Sequence, residues 1–150
     1  MLDWDQVRIM NRDGISFGAH TMTHPSVSRL EQHEFHEEFA QSKKLLESGL
    51  GASIEDFAYP FGKPSDRSEA AEQFIAKCGY RSAVTTTEGF NSIDTHPLRL
   101  RRVQIGDDRS MPAFALNVAR MFFEGPTERG VDTPTLDSEP LRAGRSGMVS

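Results

Sequence analysis

Apolar and polar positions recur along this chain with two different periods, and the switches between them mark out its elements. Trp4, Val7 and Met10 follow helical spacing, and Asn11-Arg12-Asp13-Gly14 closes the run with turn residues, so a short helix is predicted over 4–10. Ile15, Phe17 and Ala19 then alternate with Ser16 and Gly18, the two-residue period of a strand running into His20. Gly18 lacks a side chain, which permits close approach of another backbone or a ligand. Ser28 with Glu31 has the form of a capping box. It predicts a helix from there to about Ser48, with Leu30, Phe35, Phe39, Leu45 and Leu46 toward the core and Gly49 and Gly51 as its stop.

Residues 54–59 read as a second strand, ended by Pro60-Phe61-Gly62. Ser65 or Asp66 is expected to cap a helix carrying Ala70, Ala71, Phe74, Ile75 and Cys78, with Gly79 terminating it. Two more strands are predicted at 80–86 and 98–105, and Pro112 opens a helix with Phe114, Leu116, Val118, Met121 and Phe122. Beyond Glu124 the composition turns to Gly, Pro, Ser, Thr, Arg and Glu. Residues 1–123 are therefore expected to form one domain, and 124–150 a polar, disordered tail. Strands alternating with helices predict an α/β domain with a parallel sheet. A helix ahead of the first strand points to a layered fold entered part-way.

Charge narrows the function classes. The formal charge of −5 argues against a nucleic-acid partner, since phosphate neutralisation needs clustered Lys and Arg. The dense basic run, Arg99 to Arg102, is interleaved with Leu100 and flanked by Leu98 and Val103, which reads as one exposed strand face. Cys78 stands alone, which excludes an intrachain disulfide, and its helical surroundings read as those of a buried, inert thiol. No apolar run is long enough to span a membrane. Met1-Leu2-Asp3-Trp4-Asp5 has neither the basic start nor the apolar core of a signal peptide, so no compartment is assigned.

The chemistry-bearing residues gather where strands end. Functional groups of parallel α/β folds sit at the C-terminal strand ends and the loops that follow. His20 and His24 occupy such a place, with Pro25 closing the turn. Two neutral imidazoles at this spacing can reach one divalent ion at about 2.0–2.1 Å. Tyr59-Pro60-Phe61-Gly62 occupies another, and its backbone N–H groups can form an oxyanion hole. Either feature alone also fits a structural role, a histidine pair without metal or an ordinary turn. His33 and His36 lie three apart between Glu34 and Glu37, which reads as a solvated helix face.

Together the two features are more specific. Gly18-Ala19-His20-Thr21-Met22-Thr23-His24-Pro25 followed by Phe57-Ala58-Tyr59-Pro60-Phe61-Gly62 resembles the polysaccharide deacetylase family, carbohydrate esterase family four. Ser42-Lys43-Lys44-Leu45-Leu46-Glu47 and the segment Cys78 to Thr86 are similar to that family too, and the resemblance runs from about Trp4 to Ile105. It implies a distorted (β/α) barrel and removal of acetyl groups from N-acetylated polysaccharides or oligosaccharides. It also implies that His20 and His24 are two of three protein ligands to a divalent metal, usually zinc. The Phe61 N–H would help hold the oxyanion, with Tyr59, Pro60 and Gly62 shaping the substrate groove.

The sequence departs from that pattern in three places. The family's first motif, a strand ending in Thr-Phe-Asp-Asp-Gly that supplies the catalytic base and the third metal ligand, is not found in these residues. Asp3 and Asp5 flank Trp4 in a predicted helix and Asp107-Asp108 follow a different strand, so both pairs read as solvated surface carboxylates. The expectation is thus an N-terminally truncated, partial barrel lacking the first strand or strands. Ala58 stands where many members carry arginine, and the late Leu-X-His motif is not evident, His96 before Pro97 being the candidate acid in that half of the chain. The competing expectation is a non-catalytic carbohydrate-binding or interaction module built on the same fold.

Overall fold

The computed structural model describes residues 2–103 and 110–124, and all structural statements refer to those residues. Helix α1 (Trp4–Arg12) is capped by Asp3, whose carboxylate accepts the Gln6 N–H while the Gln6 side chain takes the Asp3 N–H. Trp4 lies against Gly49, and Arg8 donates to the Gly49 carbonyl at 2.9 Å, so α1 docks on the end of α2 (Ser42–Leu50). Asp5 pairs with Arg8 on the surface, in keeping with a solvated role for both N-terminal aspartates.

A three-stranded parallel sheet follows, in the order β1 (Asp56–Ala58), β2 (Ser82–Glu88), β3 (Leu100–Arg102), with α3 (Glu69–Lys77) crossing over between β1 and β2. α4 (Met111–Glu124) comes last. The expected first strand is reduced to one parallel bridge, Ala19 with Phe57, made by Ala19 N–H to Asp56 O and Ala58 N–H to Ala19 O. Gly18 makes that approach possible, because a Cβ there would lie 2.9 Å from the Asp56 carbonyl oxygen. The expected strand at 98–105 shortens to β3, behind a 3-10 turn at Pro97–Arg99, and Ile105 lies outside the described residues. So do Asp107-Asp108 and the expected tail beyond Glu124.

Helix starts differ from the expected ones for local reasons. Ser28 and Glu31 form no capping box. Val27–Arg29 is a 3-10 turn, and the Glu31 N–H goes to the Glu34 carboxylate. The chain then enters α2 through a π-helical segment, His36–Gln41. Leu45, expected in the core, is 51 % exposed, since the π segment changes the facing of the residues after it. The stop is as expected in kind. Gly51 takes a left-handed conformation (φ 69°) and its N–H closes on Glu47 O, so the helix ends at Leu50, two residues past the predicted Ser48. Ser68, rather than Ser65 or Asp66, caps α3, because Pro64–Asp66 coils into its own 3-10 turn.

The core is aromatic. Phe39 and Phe57 pack edge to face with centroids 5.7 Å apart, and Tyr59 and Tyr80 lie 5.2 and 5.3 Å from Phe57. Ile54, Ile75, Ala71, Val27 and Ala83 close around them. The Tyr80 hydroxyl donates to Phe39 O at 2.9 Å, so a β2-side residue secures the π segment. Cys78 ends α3 half-buried, and burial pushes its thiol pKa up, as an inert thiol requires.

Candidate active site

Both histidines leave the sheet where Ala19 bridges Phe57, at its C-terminal edge. His20 is oriented by the next strand, its Nδ1 lying 2.7 Å from the Ala58 carbonyl oxygen. A carbonyl can only accept, so Nδ1 carries the proton and the Nε2 lone pair is left for an electrophile. His24 comes back beside it, with ring centroids 4.8 Å apart at a steep angle. The Phe61 ring then stands edge-on to His24 at 5.1 Å. The two sequence motifs, thirty-odd residues apart, therefore meet as a row of three rings.

Backbone strain is concentrated here. Thr21, His24 and Phe61 are the non-glycine residues with positive φ among those described, at 65°, 62° and 61°. Side-chain-bearing residues in this region are costly and gather where function demands them. Hydrogen bonds hold each turn. The Thr21 hydroxyl donates to His20 O and accepts the His24 N–H at 3.0 Å. The Thr86 hydroxyl donates to Phe61 O at 2.6 Å, and its N–H donates to Gly62 O. Phe61 is 58 % exposed, and its N–H meets no acceptor among the described residues.

Glu38, which sequence reasoning passed over, ties the histidine loop to the helix. It is buried to 6 % exposure on the π segment. One carboxylate oxygen accepts the Met22 and Thr23 N–H groups at 2.8 and 3.1 Å, and the other accepts the Thr23 hydroxyl at 2.6 Å. Burial pushes its pKa up, but these bonds from Thr23 and Met22 outweigh burial and hold it below the ordinary carboxylate range. No sequence signal sets it apart, since it stands in a charged run with Glu34 and Glu37 and its helical neighbours include Gln41 and Ser42. A second tie, Ser26 Oγ to Asp66 at 3.1 Å, joins the chain beyond His24 to the chain beyond Phe61.

Tyr59 and Pro60 are buried beneath the Phe61 turn. The Tyr59 hydroxyl has no partner among the described residues, and burial raises its pKa strongly, with the Glu72 charge adding to the effect. His96 is held elsewhere. It caps the Pro97–Arg99 turn, with Nδ1 3.2 Å from the Leu98 N–H, and lines a cavity to which neither His20 nor His24 contributes. His33 and His36 are exposed, with His33 near Glu31, in line with a solvated face. The expected single basic strand face is replaced by three different fates. Arg99 pairs with buried Glu72, Arg102 donates to Thr85 O, and Arg101 turns toward Glu88 O and the His96 cavity. Among the described residues no three His, Cys, Asp or Glu side chains form a metal-holding group, so His20 and His24 fit two positions of a ligand set and not a full one.

The polysaccharide deacetylase family model matches residues 2–83. YxkH of Bacillus subtilis, described as a polysaccharide deacetylase, is 30 % identical over 117 residues, which are 78 % of this chain and 41 % of YxkH. Among solved structures, the Streptococcus pyogenes deacetylase PplD, in complex with acetate, superposes with a TM-score of 0.71 at 29 % identity, covering 77 % of this chain and 50 % of PplD. BA0330 of Bacillus anthracis, described likewise as a polysaccharide deacetylase, gives 0.67 at 28 % identity, covering 77 % of this chain and 36 % of its own. This chain thus spans half or less of the length of these three relatives. With the histidine pair and the Tyr-Pro-Phe-Gly turn meeting at one strand edge, and more than half of the chain within the family match, the chain belongs to the polysaccharide deacetylase family.

Proposed function

We propose that these residues form the histidine part of a metal-dependent N-deacetylase site acting on an N-acetylated polysaccharide or oligosaccharide. The observation that carries it is the Nδ1 contact of His20 with Ala58 O, beside the His24 ring. That arrangement fixes a tautomer with its other nitrogen free, as metal-ligating histidines have. A divalent ion held by His20 and His24, zinc in this reading, would polarise the acetyl carbonyl and lower the pKa of a water at its open position. The Phe61 N–H donates to the carbonyl oxygen as it gains charge, and the left-handed backbone at Phe61 keeps that donor out of local hydrogen bonding. Tyr59 and Pro60 form the floor under this turn, and Gly62 lets it lie against β2. Among the described residues no third His, Cys, Asp or Glu completes a metal-holding group with His20 and His24.

Metal content is the test. The loaded chain is expected to hold one zinc per molecule, and His20→Ala and His24→Ala to lose it. Unchanged stoichiometry in both variants overturns the assignment. That missing third ligand favours a second reading, a carbohydrate-binding module without turnover. Acetate release from N-acetylated chitooligosaccharide by the metal-loaded chain distinguishes the two, since a module binds the oligosaccharide and releases none.

A further inference from the structure

The molecule has a cavity, of about 340 Å³, that the deacetylation chemistry does not use. Arg67, Arg99, Arg101, His96, Thr87 and Thr95 line it, and no carboxylate does. Guanidinium groups only donate. His96 joins them through its tautomer, because Nδ1 accepts the Leu98 N–H and the neutral ring then carries its proton on Nε2. The site is therefore lined by donors on several sides.

Its charge is only partly answered from within. Buried Glu72 takes Arg67 at 3.1 Å and both edge nitrogens of Arg99 at 2.8 and 2.7 Å. Glu69 adds a weaker field at Arg99. Among the described residues the buried Arg67 Nε has no acceptor, and the Arg101 guanidinium reaches only the Glu88 carbonyl oxygen, at 3.5 Å. Among the described residues, three guanidiniums against these two carboxylates leave the cavity lining net positive. Its volume lies at the lower end of small-ligand pockets, about 300–1,000 Å³. It also adjoins the candidate active site along the chain. Thr87 follows Thr86, which holds the Phe61 turn, and Pro64, two residues beyond Gly62, is in the cavity wall.

We infer that this cavity binds the carboxylate of an acidic sugar. The guanidinium fork matches a carboxylate in two-point contact, and Thr87, Thr95 and His96 offer hydrogen bonds to the sugar's hydroxyl oxygens. This rests on the deacetylase reading only in taking the carboxylate to belong to the glycan being processed. Anion binding stands without it.

Titration of the whole chain with glucuronate, followed by amide chemical shifts, is the experiment. Glucuronate is expected to bind at about millimolar Kd, as a single sugar does, shifting residues around Thr87 and Arg101. Affinity should fall about tenfold in Arg101→Gln, whose guanidinium makes no ion pair among the described residues. Glucose should fail to produce these shifts, and acetate should bind at least fivefold more weakly than glucuronate. His20→Ala should leave the titration unchanged, which separates this site from the metal proposal. No shifts with glucuronate, or equal affinity in the wild type and Arg101→Gln, overturns the proposal. Equal affinity for acetate and glucuronate overturns its assignment to a sugar acid.

Discussion

Replacing Glu38 tests whether a buried carboxylate holds the histidine loop in shape. Its two oxygens receive three hydrogen bonds from Met22 and Thr23, between the two histidines. Bonds to a charged acceptor contribute about 1.5–3 kcal/mol each when nothing replaces them. Met22 and Thr23 are exposed, so water restores part of what Glu38→Ala removes, and a net loss of about 2–4 kcal/mol is expected. Glu38→Gln is the control. Its amide oxygen can take both N–H groups and its NH₂ can donate to the Thr23 oxygen, so about 1–2 kcal/mol is expected. Urea unfolding at unchanged m-value measures both. If the loop presents His20 and His24 to zinc, Glu38→Ala should also weaken zinc binding about 10–100-fold, the range for groups that orient ligands. The pH dependence has a definite sign. The folded pKa of Glu38 is depressed, so its contribution is complete above the unfolded value of about 4.3 and is lost as pH falls through the lower folded value. Wild type should lose stability more steeply than Glu38→Ala below about pH 4. A Glu38→Ala protein within about 0.5 kcal/mol of wild type, with the same zinc affinity and acid profile, refutes the clamp.

Three further outcomes follow from individual contacts. Tyr59→Phe removes a buried hydroxyl with no partner among the described residues, so urea unfolding should show stability unchanged or raised by up to about 1 kcal/mol. Gly62→Ala should lose about 2 kcal/mol or more in the same measurement, since Gly62 has φ 69° and a Cβ there would lie 2.7 Å from the Thr86 nitrogen. Ala71 N–H is held by the Ser68 hydroxyl, so Ser68→Ala should cost about 1 kcal/mol, read from thermal unfolding.

Periodicity made most of this fold legible. The helices at Trp4, around Leu46 and around Phe74, and the strands on either side of α3, all lie where the apolar spacing predicts them, although α1 buries none of its residues. The first strand is shorter than predicted because alternation at Ile15, Phe17 and Ala19 speaks for extended backbone and says nothing of partners, and of these three only Ala19 finds one. The second helix starts later than the capping pattern of Ser28 and Glu31 predicts, because Ser28 lies in a 3-10 turn and the Glu31 N–H goes to the Glu34 carboxylate. The π segment has no sequence signature of its own. It decides, however, that Glu38 and Phe39 are both buried and that Leu45 is not. The histidines and the Tyr-Pro-Phe-Gly turn could be read because ligands and turns require particular residue types. Glu38 could not, because a carboxylate on a charged helix looks the same whether it faces water or a loop.

The conformations that shape the site were equally hidden, and they explain why the clamps are there. Threonine, histidine and phenylalanine gain nothing from a left-handed backbone, which costs about 1–2 kcal/mol at each, or roughly 3–6 kcal/mol over Thr21, His24 and Phe61. Around them stand the three bonds to Glu38, the Thr21 hydroxyl on the His24 N–H, and the two Thr86 bonds to the Phe61-Gly62 turn. At about 1 kcal/mol net apiece, and more at the charged acceptor, these six are of the size needed to offset that strain. The site is therefore a balance between strained turns and the groups that hold them. None of the restraining groups is a ring of the His20–His24–Phe61 row, so the geometry can be loosened by substitutions that leave every proposed ligand and oxyanion donor in the sequence.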